Sequence, residues 1–201
     1  MNNIERIYKD NSIKGFASEY IKYTREVLSK ISIKEVECFI KAILRARERN
    51  STIYFIGNGG SASTASHFVN DMAIGTRSWD KPFNAISLCD NQAVLSAIAN
   101  DDGYDHVFSQ QLNVYLKKDD VVVIISASGN SKNLINAVNI AKDKKAETIA
   151  ITSFDGGELK KIVDMSIHVP TEFGEYGPAE DGHIIINHLV GAFLKLYVKP
   201  L

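Results

Sequence analysis

Apolar residues in this chain form two kinds of pattern, short continuous runs and longer stretches with helical spacing. Continuous runs rich in β-branched residues are typical of strands that are buried on both faces. Such runs predict strands at 54–56, 83–88, 120–126, 147–152 and 166–169. Helical stretches separate them, and strands that alternate with helices predict an α/β fold with a parallel sheet covered on both faces. Ligands of such sheets bind at the carboxyl ends of the strands, near a switch in strand order.

Two amphipathic helices are predicted before the first strand, at about 13–31 and 33–49. Ser32 is suited to cap the second helix, and Glu35 stands three residues later, as in a capping box. A helical pair in this place either packs on the sheet or carries an oligomer interface. The sequence leaves both interpretations open.

The last predicted helix, at about 180–198, is apolar on almost every side. A helix with this pattern is expected to be buried all round. A chain of this size buries such a helix most easily with the help of a second subunit. His183 and His188 lie within it.

The stretch Tyr54–Ala73 predicts a strand, then a tight turn at Gly57-Asn58-Gly59-Gly60, then a helix that begins at Ser61. A glycine-rich turn that leads into a helix aims backbone N–H groups at one point, where the helix dipole also favours negative charge. The sequence therefore predicts an anion site at this turn.

The helix after this turn has a polar face that carries chemistry. Its core face follows helical spacing and consists of Ala65, Phe68, Val69, Met72 and Ala73. At about 100° per residue, His67 and Asp71 fall on the opposite face, one turn apart. They form a potential pair of metal ligands beside the anion site.

A second polar turn, 126–131 with the sequence Ser-Ala-Ser-Gly-Asn-Ser, follows the most apolar strand and leads into another helix. It offers several hydroxyl and N–H groups to one anion. By itself, a serine-rich turn is often only a helix cap. Together with the first turn it predicts two walls of a site for a sugar phosphate, since serine hydroxyls without a lysine suit a phosphate monoester that must be held and released.

Composition narrows the classes of partner. The chain has 201 residues, of which 45% are hydrophobic, and a formal net charge of −1. That charge gives no long-range attraction to nucleic acid or to anionic membranes. A small-molecule or protein partner is therefore favoured. The polar N-terminus and the lack of a run of about 20 apolar residues predict a cytoplasmic protein. Cys38 and Cys89 stand far apart and are interpreted as ordinary thiols.

A dinucleotide site is the main alternative for the first turn. Residues 57–62 fit the relaxed G-x-G-x-x-A pattern, and Asp90 could bind a ribose. However, Asp90 lies about thirty residues further on, where about twenty is usual. A phosphate-binding loop of the nucleotide triphosphatase type is excluded, because no Lys-Ser or Lys-Thr follows the glycines.

The ordered motifs GNGGSAS, HFVND, AIANDDGYDHVFSQQL and ISASGNS, followed by a late helix with histidines, resemble the SIS (sugar isomerase) domain and, within it, the phosphoheptose isomerases. The resemblance covers nearly the whole chain and implies one SIS domain over 1–201. It implies a doubly wound, flavodoxin-like sheet of five parallel strands with two N-terminal helices. It also implies a homotetramer with sites between subunits, and conversion of sedoheptulose 7-phosphate to glycero-manno-heptose 7-phosphate.

The resemblance also implies roles for individual residues. Those expected to contact the sugar are Asn58, Gly59, Gly60, Asn100, Asp101 and Glu180. Those expected at the phosphate are Ser61, Ser126, Ala127, Ser128 and Ser131. Those that match the zinc ligands and the acid/base pair of the family are His67, Asp71, Glu180 and His188.

Two of these positions depart from the family. Asp71 stands where the family usually has glutamate, and Glu180 where it usually has glutamine. Two histidines and two carboxylates remain an acceptable zinc set. However, Glu180 and His188 are about 12 Å apart if one helix joins them. One ion binds both only if Glu180 lies in the preceding loop or comes from another subunit, and His183 is a rival ligand.

An aldose–ketose isomerase needs a base, an acid and stabilisation of the enediol between them. His188 is predicted to be one acid/base partner, and Asp71 or Glu180 the other. The competing class is a SIS domain that only senses a sugar phosphate, or an adaptor that binds the bacterial replication initiator. An adaptor needs neither zinc nor the histidine and carboxylate set, which favours the enzyme.

Overall fold

The computed structural model describes residues 1–10 and 12–199. Asn11, Pro200 and Leu201, which the predicted domain of 1–201 includes, lie outside the described residues. The strands are β1 (Ile53–Gly57), β2 (Ala85–Ser87), β3 (Val121–Ser126), β4 (Glu147–Ser153) and β5 (Met165–Val169). The helices are α1 (Asn3–Asp10), α2 (Ile13–Ser29), α3 (Ile33–Glu48), α4 (Gly60–Val69), α5 (Gln92–Asp101), α6 (Ser109–Tyr115), α7 (Lys132–Asp143), α8 (Leu159–Ile162) and α9 (Tyr176–Tyr197).

The five strands form one parallel sheet in the order β2-β1-β3-β4-β5. This confirms the predicted doubly wound fold. The order reverses between β1 and β3, where Gly57 pairs with Ile125. Consequently the first turn after β1 and the serine turn after β3 leave the sheet side by side at its switch point, where ligands of this architecture bind.

Both faces of the sheet are buried, as the apolar runs predict. In β3, Val121 and Val123 belong to the core beneath α3, α4 and α9. Val122 and Ile124 belong to the core beneath α6 and α7. Successive side chains of a strand point to opposite faces, so a run that is apolar at every position marks a central strand.

The second predicted strand, at 83–88, is shorter in the structure, where β2 spans only Ala85–Ser87 at the edge of the sheet. Phe83 is buried, although it lies before the strand. Its carbonyl oxygen accepts a hydrogen bond from the Ala85 N–H at 3.0 Å, which makes this a local turn. Burial rather than sheet pairing explains the apolar residue there.

The two predicted N-terminal helices are present as α2 and α3, and α3 packs on the sheet. Phe39 of α3 meets Phe68 of α4 edge to face, with ring centroids 6.1 Å apart. Ser32 Oγ caps α3 by accepting the Glu35 N–H at 3.3 Å. The capping box is incomplete, because the Glu35 carboxylate accepts the His168 N–H at 3.0 Å instead.

Helix α1 is missing from the sequence prediction because it is too short to show apolar periodicity. Contacts from distant residues hold it in place. The Asn3 N–H donates to Glu175 Oε1 at 2.7 Å, and Arg6 pairs with Glu172. The buried Glu175 carboxylate also accepts the Tyr23 hydroxyl at 2.5 Å, so one side chain joins α1, α2 and the loop before α9.

Helix α9 begins at Tyr176, one turn before the predicted start at Glu180. The prediction that it is buried all round is wrong for this chain taken alone. Ile185, Leu189 and Phe193 are each at least 40% exposed and form a stripe along one side. The opposite side is fully buried. Within the described residues, no helix is both long and apolar enough to cross a membrane.

Candidate active site

The first turn folds as the glycines predict. Gly59 has a positive φ of 53°. The backbone carbonyl oxygen of Asn58 accepts a hydrogen bond from the Ser61 N–H at 2.9 Å, at the start of α4. Gly60 lies directly against Glu180 of α9, where an added Cβ would stand 2.6 Å from the carboxyl carbon. A residue with a side chain at Gly60 would therefore push the Glu180 carboxylate away from the turn.

The second turn uses some of its hydroxyls for its own structure. Ser126 Oγ accepts the Gly129 N–H at 3.0 Å, and Ser128 Oγ accepts the Asn130 N–H at 3.4 Å. Gly129 has a φ of 65° and lies so close to Gly156 that a Cβ would stand 2.6 Å from its carbonyl carbon. Ser131 precedes α7, but its hydroxyl makes no capping hydrogen bond there. The helix-cap interpretation therefore does not account for Ser131.

The two turns share one cleft of about 160 Å³. Its lining comprises Asn58, Ser61, Ile125, Ser126, Ala127, Ser128, Ser131, Tyr176 and Glu180. The cleft thus combines serine hydroxyl groups with the Glu180 carboxyl group, which lies against the start of α4. This arrangement suits a ligand with a phosphate at one end and hydroxyl or carbonyl groups at the other.

Asn58 is held by residues that the sequence interpretation did not include. Its amide exchanges two hydrogen bonds with the Asn133 amide, at 3.0 and 2.8 Å. The Tyr104 hydroxyl donates to Asn58 Oδ1 at 2.8 Å. Tyr176 lines the cleft as well. Of these, only Asn133 carried a sequence signal, since it lies two residues after Ser131 at the start of a helix.

Asn100 and Asp101 lie at the end of α5 and are exposed. The Asn100 amide donates to Asp101 Oδ1 at 2.8 Å, and neither residue lines the cleft. The nearby Tyr104 links this segment to the cleft, because its hydroxyl donates to Asn58. Their contact with the sugar therefore stays a prediction from the family resemblance.

The polar face of α4 meets α9 at a second cluster, formed by His67, Asp71 and His188. One ligand atom from each lies within 4.8 Å of the others. The rings of His67 and His188 have centroids 5.0 Å apart, and His67 Nε2 lies 3.4 Å from Asp71 Oδ2. Two imidazoles and a carboxylate are donors that zinc accepts, so this donor set fits the predicted metal.

Asp71 lies in a π-helical turn, Asn70–Ile74, that extends α4. The Gly75 N–H donates across five residues to the Asn70 carbonyl at 2.8 Å. Such wide turns are frequent at functional sites. Asp71 also lies close to α9, since a Cβ on Gly191 would stand 3.2 Å from Asp71 Cβ.

Glu180 is not part of this cluster. It lies within α9 rather than in the preceding loop, so that alternative is wrong. Eight residues of the same helix, about 12 Å, separate it from His188. Burial, followed by the charge of Asp181, raises the pKa of the Glu180 carboxyl group. A raised pKa suits a group that must both accept and donate a proton.

His183 is wrong as a rival ligand, because it points into the core. It is completely buried, and its Nε2 lies 3.0 Å from Ser153 Oγ. Burial lowers its pKa to about 4. The imidazole is therefore a neutral core group that holds α9 to the end of β4.

Both cysteines and Asp90, the residue considered for ribose binding, have local environments that explain them without a ligand. Cys38 and Cys89 are free thiols, and the Cys89 thiol donates to the Gly57 carbonyl at 3.4 Å. The Asp90 carboxylate accepts a hydrogen bond from the Ser66 hydroxyl. That partner explains Asp90 without a bound ribose.

Comparison with known proteins identifies the family of the chain. The family model of the SIS domain matches residues 19–153. Phosphoheptose isomerase from Helicobacter pylori (strain P12) is 36% identical over 172 residues, which cover 86% of each chain. A probable phosphoheptose isomerase from Thermoplasma acidophilum is 35% identical over 178 residues, covering 89% of this chain and 97% of the relative.

A solved structure is also similar over most of the chain. The phosphoheptose isomerase from Neisseria gonorrhoeae superposes with a TM-score of 0.82 at 28% identity, and the match covers 91% of this chain and 98% of that one. These relatives favour the enzyme over the sensor and adaptor alternatives. The chain belongs to the SIS domain family and, within it, to the phosphoheptose isomerases.

Proposed function

We propose that this isomerase converts sedoheptulose 7-phosphate to D-glycero-D-manno-heptose 7-phosphate for heptose biosynthesis. The observation that carries the proposal is the cleft itself, which serines of two helix-opening turns line together with Glu180. The relatives that match nearly the full chain are named for this class of reaction. We also propose a cytoplasmic location, where phosphorylated sugars are made and consumed.

The phosphate is proposed to bind at the serine turn. The hydroxyls of Ser61 and Ser131 border the cleft, and no capping hydrogen bond engages Ser131. Ser126 and Ser128 accept backbone N–H groups, which leaves each hydroxyl proton free to donate to a phosphate oxygen. The start of α7 adds N–H groups that are oriented toward an anion.

Replacing Ser128 by alanine is expected to weaken sugar-phosphate binding by about 10-fold or more, because a hydrogen bond to a charged group contributes about 1.5–3 kcal/mol. The KM should rise while kcat changes little. Titration calorimetry with the sugar phosphate measures the effect. Ser29→Ala, which removes an exposed hydroxyl on α2, is the control. Unchanged affinity in Ser128→Ala would remove this residue from the phosphate site.

The isomerisation is proposed to proceed through an enediol. A base removes a proton from C1 of the ketose, the carbonyl oxygen at C2 receives a proton, and C2 is then protonated as the O1 hydroxyl becomes the aldehyde. His188 is proposed as one acid/base partner, and Asp71 or Glu180 as the other. Burial raises the pKa of the Glu180 carboxyl group, which supports that residue as a proton-exchanging group.

Zinc is the proposed metal, one ion per subunit, held by His67, Asp71 and His188. When bound, it would polarise the substrate oxygens and so stabilise negative charge. Within one chain, about 12 Å of α9 separates Glu180 from His188. Glu180 is therefore the fourth zinc ligand only if another subunit supplies it.

A homotetramer with sites between subunits is part of the proposal. The exposed apolar stripe of α9 supports it, because a second subunit could cover this stripe and would then lie beside His188 on the same helix. Within one chain the serine cleft and the histidine cluster lie at different points along α9. A second copy that packs on the stripe could therefore bring one chain's cleft to another chain's cluster.

The experiment that tests the function is an assay of the purified protein with sedoheptulose 7-phosphate, with and without a chelator. We expect an aldose 7-phosphate to form, activity to disappear with the chelator, and added zinc to restore it. Saturable binding without product would instead support a SIS domain that senses its ligand.

A further inference from the structure

We propose that Asn187 is a positioning residue that fixes the carboxylate of Asp71 for metal binding and proton transfer. This inference rests on the proposed function, since it assigns a support to one of the proposed active groups. Asn187 precedes His188 in α9, and its side chain reaches Asp71 in the π-helical turn that extends α4. It is not among the residues that the sequence interpretation selected.

The contact between the two residues is direct. Asn187 Nδ2 donates to Asp71 Oδ2 at 3.1 Å, although the two residues are 116 positions apart in the chain. The same oxygen lies 3.4 Å from His67 Nε2. Asn187 therefore holds the carboxylate oxygen that faces the other members of the cluster.

The rest of the Asp71 environment makes this support necessary. The carboxylate is partly exposed. Its other oxygen accepts a hydrogen bond at 3.2 Å from Asn70, an exposed neighbour in the same π-helical turn. An exposed amide beside solvent orients a carboxylate weakly. Asn187 is completely buried, so its rotamer is fixed by packing and can impose an orientation on Asp71.

Asparagine at this position carries a cost. Its Oδ1 atom is buried and has no hydrogen-bond partner within the described part of the chain. A buried polar atom without a partner destabilises a fold. An apolar residue of similar size would pack here without that penalty, so an asparagine here is explained by its donor to Asp71 rather than by stability.

These observations predict that activity and stability separate on mutation. Asn187→Leu removes the donor to Asp71 and also removes the unpartnered oxygen. Side chains that orient metal ligands typically contribute about 10- to 100-fold to metal affinity or activity. We expect zinc affinity and kcat to fall by about that factor. The KM for the sugar phosphate should change less than about threefold, because Asn187 does not line the serine cleft.

The test compares wild type, Asn187→Leu and Asn187→Ala by three measurements. These are zinc affinity in competition with a chromophoric chelator, the thermal midpoint of the metal-free protein, and kcat and KM of the zinc-loaded enzyme. Val190→Ala is the matched control, because Val190 is also completely buried on α9 and belongs to the core instead. It should lower the thermal midpoint and leave zinc affinity unchanged.

Support for the proposal is a fall in zinc affinity and kcat with a metal-free midpoint that stays the same or rises in Asn187→Leu. The alanine variant should lose zinc affinity equally, and it decides the matter if the leucine variant does not fold. Unchanged zinc affinity in both variants overturns the proposal, whatever happens to the midpoint. Wild type that binds zinc without turnover refutes the proposed function alone, whereas wild type that binds no zinc refutes both.

Discussion

Replacing His188 by glutamine is expected to lower kcat by about 10³-fold or more, within or above the range typical of general acid–base groups. Glutamine fills a similar volume but cannot exchange a proton near neutral pH. It is also a poorer zinc ligand than imidazole, so the cluster with His67 and Asp71 would lose one donor. Both effects act on the chemical step.

Binding of the sugar phosphate should be nearly unchanged in His188→Gln, because His188 lies about 12 Å along α9 from Glu180 and outside the serine cleft. Steady-state kinetics and calorimetry separate the two quantities. His106→Gln, which changes an exposed histidine, is the control. An equal loss of binding and turnover would show that His188 has a structural role instead.

The free energy of unfolding is also expected to fall at acidic pH because of His183. His183 is completely buried, and its pKa falls from 6.5 to about 4 in the folded protein. The unfolded chain therefore binds more protons than the native chain between these values. The contribution of the neutral His183 to the free energy of unfolding is fully present above about pH 6.5 and is lost as the pH falls toward 4. The expected loss from this residue is about 3 kcal/mol.

His168 acts in the same direction, since burial and then the charge of Lys160 lower its pKa. Urea unfolding between pH 4 and 7, in a chelator so that metal release does not contribute, measures the combined effect. His183→Gln should flatten the pH dependence by up to about 1.4 kcal/mol per pH unit. His106→Gln should leave the dependence unchanged. The same slope in His183→Gln and wild type would contradict a buried neutral His183.

The sequence predicted the sheet and both turns well, for identifiable reasons. The β-branched run of β3 has no polar residue before Ser126, and that pattern is typical of a strand buried on both faces. The glycines of the first turn require a positive φ at Gly59 and a close approach at Gly60, which the structure shows. The i, i+4 spacing of His67 and Asp71 placed them together because helix geometry alone determines that contact.

Long-range contacts could not be predicted in this way. Tyr104 and Asn187 reach the site from distant positions, and no local pattern marks either contact. Helix α9 starts earlier than predicted because Tyr176 and the next two residues, Gly-Pro, give no helical periodicity. Its exposed stripe is predicted as buried because periodicity reports apolar surface, not the partner that covers it.

The reaction proposed for this protein moves a proton between adjacent carbons of a heptose phosphate. The most direct measurement is NMR of sedoheptulose 7-phosphate incubated with the zinc-loaded protein in deuterated water. An enediol intermediate predicts an aldose 7-phosphate that carries deuterium at C2. Saturable binding of the sugar phosphate with neither aldose nor deuterium exchange would contradict this reaction.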